Sequence, residues 1–512
     1  STVDTTDTVD TGNVTAVNLE TITLNADAAN ATIGTLINAD DLTTVTITNS
    51  DLGSAGDVDL GNIGTTTAAD DLTSFTAITV GDGTGGGTDV TVGILDAGAS
   101  TTKSVIETYT INLAGDYDVS EFAHVEARTI NGIDITGGVH GDAIEHFGFV
   151  LTGSVAGDIN ITIGGEDLTV GGATPTAAAF YSGETSELVP AADAWLQTGA
   201  TGTVGNVNLT LTAEGGMMIA QHHADDIFID SAITVGDLNF NTGTSTAGTN
   251  DISVGEIQNA TTIGNINVSG SGSTTLDGAE AATSVGNIDV SVEAGETVTL
   301  GLLSSGVNLD HGFIGTTNGV VGNITGTGAG TINVAIGPVT TIGNIDLSAM
   351  TASTASSSIG LNNSTGVGVV FSGSSGADSL LATGGADVIN PGLGQDYVQG
   401  NAGADLITLT ETVNSTDTVA LAKAGAATID TITGFVPGSG GDVIGIDLTN
   451  YTTIPNNAIT VGFVTLEAAA GQPIDSVLVG AIGSPAAADF ISVAAGETAT
   501  HTGGNTDEPG NF

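Results

Sequence analysis

A glycine recurs every nine residues at Gly376, Gly385, Gly394 and Gly403, inside the stretch GSSGADSLLATGGADVINPGLGQDYVQGNAGADLITL from Gly373 to Leu409. Asp378, Asp387, Asp396 and Asp405 follow those glycines by two positions, and Leu380, Ile389, Val398 and Ile407 follow the aspartates by two. Such a period cannot mark one face of an α-helix, because at about 100° per residue successive aspartates swing to opposite sides. The glycines would weaken a helix further. What the period allows is a flattened coil in which each nonapeptide is one half-turn, a tight Gly-rich bend followed by a short strand whose aliphatic side chain points inward.

In such a coil, residues eighteen apart in sequence lie one strand spacing, about 4.8 Å, above one another. Asp378 is expected over Asp396 on one edge and Asp387 over Asp405 on the other. Two bare carboxylates at that separation repel. A hard divalent cation between them, completed by carbonyl oxygens of the bends at Gly376, Gly385, Gly394 and Gly403, reverses the sign. Ca²⁺, with about six to eight oxygen ligands in a loose cage, suits the arrangement better than Mg²⁺.

The repeat resembles the RTX nonapeptide, a Ca²⁺-binding β-helix motif. Its Gly-x-Asp-x-aliphatic half is intact in every copy, while the first two glycine positions hold Gly373-Ser374, Ala382-Thr383, Pro391-Gly392 and Gly400-Asn401. The resemblance implies a β-roll holding several Ca²⁺ ions. Downstream, Ala427 to Leu448 (ATIDTITGFVPGSGGDVIGIDL) resembles the segment that closes the roll in serralysin-type and other type I-secreted proteins, and is expected to cap its open end.

Charge narrows the function. There are 58 acidic residues against Lys103, Arg128 and Lys423, a formal net charge of −55. Almost nothing is available to neutralise a phosphate, so nucleic acid and anionic membrane are excluded as direct partners. The chain is nevertheless 40% apolar, too much for a disordered acidic tail. With aromatics at 4%, the core has to come from Val, Ile, Leu and Ala, which suit a narrow β-solenoid. Cysteine is absent, so a large extracellular protein of this kind needs another staple, and Ca²⁺ fits that role. No apolar run approaches a membrane span, and the start at Ser1 leads to the expectation that the chain is processed or continues upstream.

Upstream of the repeats a second phrase recurs, aliphatic-Gly-Asn/Asp-aliphatic, as in Val204-Gly205-Asn206-Val207, Val235-Gly236-Asp237-Leu238, Ile263-Gly264-Asn265-Ile266 and Ile342-Gly343-Asn344-Ile345. The glycine is read as a corner that resets the strand phase, with the flanking aliphatics facing one core. Asn208, Asn267, Asp289 and Asp346 are expected to form an outward ladder, either solvated or a further cation site. Lys103 to Phe149 and Ala173 to Gln197 are richer in aromatics. They read as insertions or a subdomain on the solenoid flank, their aromatics a local core or a contact patch, with a short helix over Ala191 to Gln197; another helical piece is expected over Ala486 to Phe490.

The expected fold is all-β, a parallel β-helix or β-solenoid with a C-terminal Ca²⁺-binding RTX β-roll and β cap. The expected divisions are 1–100 and 201–365 (solenoid), 101–200 (solenoid with insertions), 366–410 (roll) and 411–512 (capping, secretion-related). His140 and His146, and His222-His223, lack zincin spacing and are expected in surface or loop-stabilising roles. No nucleophile elbow or Walker loop occurs. Uronate polysaccharides would need Lys and Arg at a catalytic site, so the chain is expected not to be an enzyme. Acidic composition, scarce Lys, absent Cys, solenoid body and RTX repeats together resemble the Ca²⁺-dependent S-layer proteins of Gram-negative bacteria. That implies type I export, an extracellular cell-surface location, self-assembly into a lattice and contact with cell-surface polysaccharide, without membrane insertion. An RTX adhesin or filament subunit is the alternative, and a secreted polysaccharide-active enzyme a more distant one.

Overall fold

The computed structural model describes most of the chain from residue 2 to residue 447, leaving out short segments, of which the longest are 50–56, 81–89, 165–177, 183–193, 220–226, 302–313, 362–367 and 422–429; beyond 447 it describes four strands. Every regular element among the described residues is a β-strand. The chain divides into two units, residues 1–286 with 309–312, and residues 287–308 with 313–512.

In the first unit three strands from each coil stack on their counterparts in the next. One face runs through Ile133–Gly137, Ile159–Ile163, Val207–Leu211, Leu238–Asn241 and Ile266–Ser269, all parallel and in register. A second runs through Ala143–His146, Ala178–Ser182, Gly215–Ile219 and Asn250–Val254. The third includes Phe149–Leu151, Ala194–Val204, Ile227–Val235 and Glu256–Ile263. Alternation decides what lies inside. In Ile159–Ile163 the three isoleucines are buried while Asn160 and Thr162 lie further out. This is the parallel β-helix that the composition suggested.

The corner phrase acquires a mechanism here. At each corner the residue after the glycine uses its side-chain oxygen to accept the backbone N–H of its counterpart one coil on: Asp158 Oδ1 from Asn206 N (2.9 Å), Asn206 Oδ1 from Asp237 N (2.9 Å) and Asp237 Oδ1 from Asn265 N (2.7 Å). The glycine is required because a Cβ at Gly236 would come within 2.6 Å of Asn206 Oδ1 and 2.7 Å of the Gly205 carbonyl carbon. The phrase is therefore a stacking device, pairing a missing Cβ with a polar oxygen in the space it leaves.

The outward ladder is only partly as expected. Asn267, Asn239, Asn208 and Asn160 each donate Nδ2 to the side-chain oxygen one coil back, ending on Asp134 Oδ1, at 2.7 Å throughout. These amides satisfy one another, which leaves no cation role. In the second unit Asp289 and Asp346 are separated by Thr325, whose hydroxyl donates to Asp289, so they do not form a carboxylate pair either. Asn239 sits mid-ladder and makes two of these bonds. Asn239→Ala is expected to cost about 1–2 kcal/mol, read as a lower urea midpoint at fixed Ca²⁺.

Of the readings of the aromatic-rich stretches, the local core holds for the described aromatics, but the described strands that carry them are coils of the solenoid and not insertions on its flank. The described strands between 105 and 151 belong to consecutive coils in register with their neighbours, and Tyr109, Phe122 and Phe149 lie in the interior. Phe75 and Tyr109 stack at 4.9 Å between ring centres, Tyr109 meets Phe149 edge-on at 5.2 Å, Phe149 meets Trp195 edge-on at 5.2 Å, and Trp195 stacks on Phe228 at 5.4 Å. Coils that stack in register carry their interior rings into contact, so one large residue is best accommodated by another directly above it. Trp195 lies in the strand Ala194–Val204, which corrects the expected helix; 191–193 lie outside the described residues. Of the Ala486 to Phe490 helix only Phe490 is described, and it opens the strand Phe490–Val493.

His146 is not a surface group. It is wholly buried, stacked on Phe149, and its Nδ1 accepts the Gly148 N–H at 2.9 Å, which places its proton on Nε2 toward the Tyr109 hydroxyl at 3.0 Å. Burial pushes its pKa down to about 3. The depressed value means that the neutral ring favours the fold above the unfolded pKa of about 6.5, and that this contribution is lost as pH falls from there toward 3. Its ¹H–¹⁵N ring signals are expected not to titrate between pH 5 and 8. His140, His222 and His223 lie outside the described residues.

In the second unit two parallel ladders run into the nonapeptides. One connects Ile345–Ala349, Val370–Ser372, Val388–Asn390, Leu406–Thr408, Thr431–Thr433 and Thr465–Glu467. The other connects Ser356–Leu361, Ala377–Leu381, Tyr397–Gln399, Thr418–Leu421, Val443–Asp447 and Val477–Ile482. Ile389, Val398 and Ile407 point into the narrow core between them and are at most 1% exposed.

Candidate metal centre: two stacked carboxylate ladders

The roll sets its aspartates along its two edges, Asp387, Asp396 and Asp405 immediately before their strands and Asp378 at the second position of Ala377–Leu381. On one edge Asp396 Oδ1 accepts the Asp378 N–H (2.8 Å), and on the other Asp405 Oδ1 accepts the Asp387 N–H (2.9 Å), each pair eighteen residues apart. The expected stacking of the four aspartates is thus present. Further donors come from the bends. Asp378 Oδ2 accepts from Ser374 N at 2.6 Å, and Asp387 accepts from Thr383 N, the Thr383 hydroxyl and Val369 N. Ser374 and Thr383 stand where the repeat otherwise has its second glycine, and each hydroxyl also accepts the next bend N–H, from Gly376 and Gly385 respectively.

The bend glycines allow this close approach. A Cβ on Gly403 would fall on the Gly385 carbonyl oxygen, and Gly403 and Gly394 hold φ of 143° and 114°. At the neighbouring bend position Asn401 supplies the left-handed conformation instead, with φ 64°. Its Nδ2 donates to the Ala382 carbonyl.

The ladders extend beyond the four nonapeptides. Asp417 Oδ1 accepts the Asp396 N–H and Asp442 Oδ1 accepts the Asp417 N–H, both at 3.1 Å; on the other edge Asp430 Oδ1 accepts the Asp405 N–H at 3.1 Å. The steps are 21 and 25 residues instead of 18. Asp442 and Asp430 lie in the segment expected to be a cap, yet that segment supplies two more strands of the roll, on which the strands Thr465–Glu467 and Val477–Ile482 stack. A signal for these rungs is present in Ser415-x-Asp417-x-Val419, Thr428-x-Asp430-x-Ile432 and Gly440-x-Asp442-x-Ile444. The Asp-x-aliphatic spacing survives although the glycine does not always.

Electrostatically this arrangement is incomplete without a cation. Asp378, Asp387, Asp396, Asp405 and Asp417 are at most 3% exposed. One oxygen of each of Asp378, Asp396, Asp405 and Asp417 is buried without any hydrogen-bond partner. Burial pushes Asp396 up to about 8, and Asp405 and Asp417 up to about 7, with the backbone donors opposing and neighbouring carboxylates adding to the rise. Asp378, Asp387, Asp430 and Asp442 are raised for the same leading reason. Anions stacked this closely out of water require a bound cation or protons. The orphaned oxygens therefore fit Ca²⁺, as would the neighbouring bend carbonyls.

Fold and site define a parallel β-helix protein with a calcium-binding β-roll. Residues 371–408 match the RTX calcium-binding nonapeptide repeat family in four copies. The chain carries RTX repeats, and these bind Ca²⁺. Neither the curated proteins nor the solved structures give a match.

Proposed function

We propose that this chain is a structural protein of the cell surface, exported unfolded and assembled with Ca²⁺ into an S-layer lattice. The observation that carries the reading is the pair of carboxylate ladders with orphaned buried oxygens. Inside a cell, where free Ca²⁺ is low, the aspartates repel and the roll stays open. Outside, Ca²⁺ at about 10⁻⁴–10⁻³ M, the range of extracellular modules, closes it. The solenoid coils then stack upon a folded end. With 58 acids against three bases, copies of the chain meet as polyanions, so cations that bridge them are the natural adhesive. The uniform coils, whose exteriors carry small polar side chains, suit a building element more than a catalyst.

The test is electron microscopy of purified protein with Ca²⁺ and after EGTA. A two-dimensional array that dissolves on chelation supports the lattice. Isolated particles or fibres at every Ca²⁺ concentration count against it, with fibres pointing to the adhesin or filament alternative. Calcium-dependent monomers that depolymerise a polysaccharide would overturn both.

A further inference from the structure

The period of the roll breaks after Asp405, and the segment that breaks it carries a third carboxylate into the ladder. Glu411 lies in the loop between the strands Leu406–Thr408 and Thr418–Leu421. That loop lengthens the step from Asp396 to Asp417 to 21 residues. Ligand oxygens of Asp396, Glu411 and Asp417 all lie within 4.8 Å of one another. We propose that these three residues form a distinct cation site, the tightest Ca²⁺ site of the roll and the one filled first.

Three observations support this site independently of the repeat pattern. First, Asp396 and Asp417 are 2% and 1% exposed, and the Oδ2 of each is buried with no hydrogen-bond partner. Their other oxygens are engaged by the N–H groups of Asp378 and Asp396. Each carboxylate is thus oriented by one oxygen and leaves the other for a ligand.

Second, Glu411 is not a freely rotating surface acid. Oε1 accepts the Gly394 N–H at 3.0 Å and Oε2 accepts the Ser415 N–H at 2.7 Å, with the Ser415 hydroxyl against the same carboxylate. The Gly394 bond ties the loop to the bend of Asp396, and the Ser415 bonds tie it to the approach to Asp417. An N–H donor leaves lone pairs on each oxygen for a metal.

Third, the charges acting on Asp396 besides its own are those of Asp378, Asp417 and Glu411, all negative. A cation there meets three carboxylates, whereas the nonapeptide pairs Asp378/Asp396 and Asp387/Asp405 offer two. Affinity of oxygen cages for Ca²⁺ rises with ligand charge and rigidity, and this cage has more of the first and a loop fastened at both ends. Position adds a consequence. The site joins the last nonapeptides to the coils beyond them, so filling it first fixes the register of both.

The inference rests on the calcium-binding reading of the roll, and the experiment separates the two. Ca²⁺ is titrated calorimetrically into chelator-stripped full chain, into Glu411→Gln, and into Asp387→Asn on the opposite edge. The wild type is expected to show one tight site ahead of a weaker class. In Glu411→Gln that tight site weakens by about tenfold or more, while Asp387→Asn retains it. A Glu411→Gln titration that superimposes on the wild type, in a wild type that binds several ions, overturns the three-carboxylate site and leaves the repeats intact. A wild type that takes up no Ca²⁺ overturns both. Should Glu411→Gln fail to fold, the wild type decides alone: one molar equivalent of Tb³⁺, located by anomalous scattering in crystals of the chain, is expected between Asp396, Glu411 and Asp417, and density at any other site overturns the proposal.

Discussion

Removing Ca²⁺ with EGTA at pH 8 or above is expected to abolish the cooperative thermal transition of the roll, with loss of β-sheet circular dichroism and rapid proteolysis between 370 and 447. The size of the effect follows from the count of buried anions. Asp378, Asp387, Asp396, Asp405, Asp417 and Asp442 are all nearly or fully inaccessible to water. An uncompensated buried charge costs several kcal/mol, and a domain has only about 5–15 kcal/mol in hand. Two or three such groups exhaust it. Conversely, each independent site at a hundred times its Kd adds about 2.7 kcal/mol, so a few ions reverse the balance. The paired change Asp387→Ala with Asp396→Ala separates this account from a general salt effect. It removes one central rung from each edge, and the Ca²⁺ needed for half-maximal β-sheet signal is expected to rise by about tenfold or more. A midpoint that does not move would mean that the ions act elsewhere in this acidic chain. Replacing Ca²⁺ by NaCl at equal ionic strength is expected not to restore the transition, because screening weakens repulsion between exposed charges far more than between buried ones.

Much of this site was legible because the nonapeptide has a strict period and a strand geometry with a fixed spacing. The stacking of Asp378 on Asp396 and of Asp387 on Asp405 needs nothing more. Asp417, Asp430 and Asp442 were harder to read because the loops before them lengthen the coil, and a period search fails where length changes even though the Asp-x-aliphatic unit persists. Glu411 has no repeat position at all; only the three-dimensional path of its loop brings it to Asp396. In the body of the chain the corner glycines were readable, but the partner role of the following Asn or Asp was not, since a hydrogen bond to a coil 28 or 31 residues away has no local signature. The aromatics misled for a related reason. In a globule their enrichment marks an insertion or a patch, but in a stack of coils Phe75 and Tyr109, and Trp195 and Phe228, stack on one another inside the core.

The pH dependence of the roll is expected to be strong without Ca²⁺ and to flatten with it. Without the ion, the folded carboxylates hold their protons more tightly than the unfolded ones. Asp396 sits at about 8 and Asp405 and Asp417 at about 7, against an ordinary value of 3.8. Between those limits the folded state binds more protons than the unfolded state, so stability falls as pH rises. The calcium-free roll should be most stable near pH 4 and lose that stability progressively up to about pH 8. Calcium binding runs the other way, because the ion must displace the same protons. Its half-saturation concentration should therefore fall as pH rises from 6 to 8, by up to about tenfold per pH unit for each proton displaced per ion. Denaturation midpoints measured from pH 4.5 to 8.5, once in EGTA and once at fixed millimolar Ca²⁺, are expected to give a curve that falls with pH in EGTA and one that levels off once Ca²⁺ has displaced the protons. Parallel curves would mean that the buried aspartates are not the groups calcium neutralises. The same argument sets the sign for acid exposure: protons expel the ions but leave the aspartates neutral, so a roll emptied by acid should survive, at low pH, an EGTA treatment that opens it at pH 8.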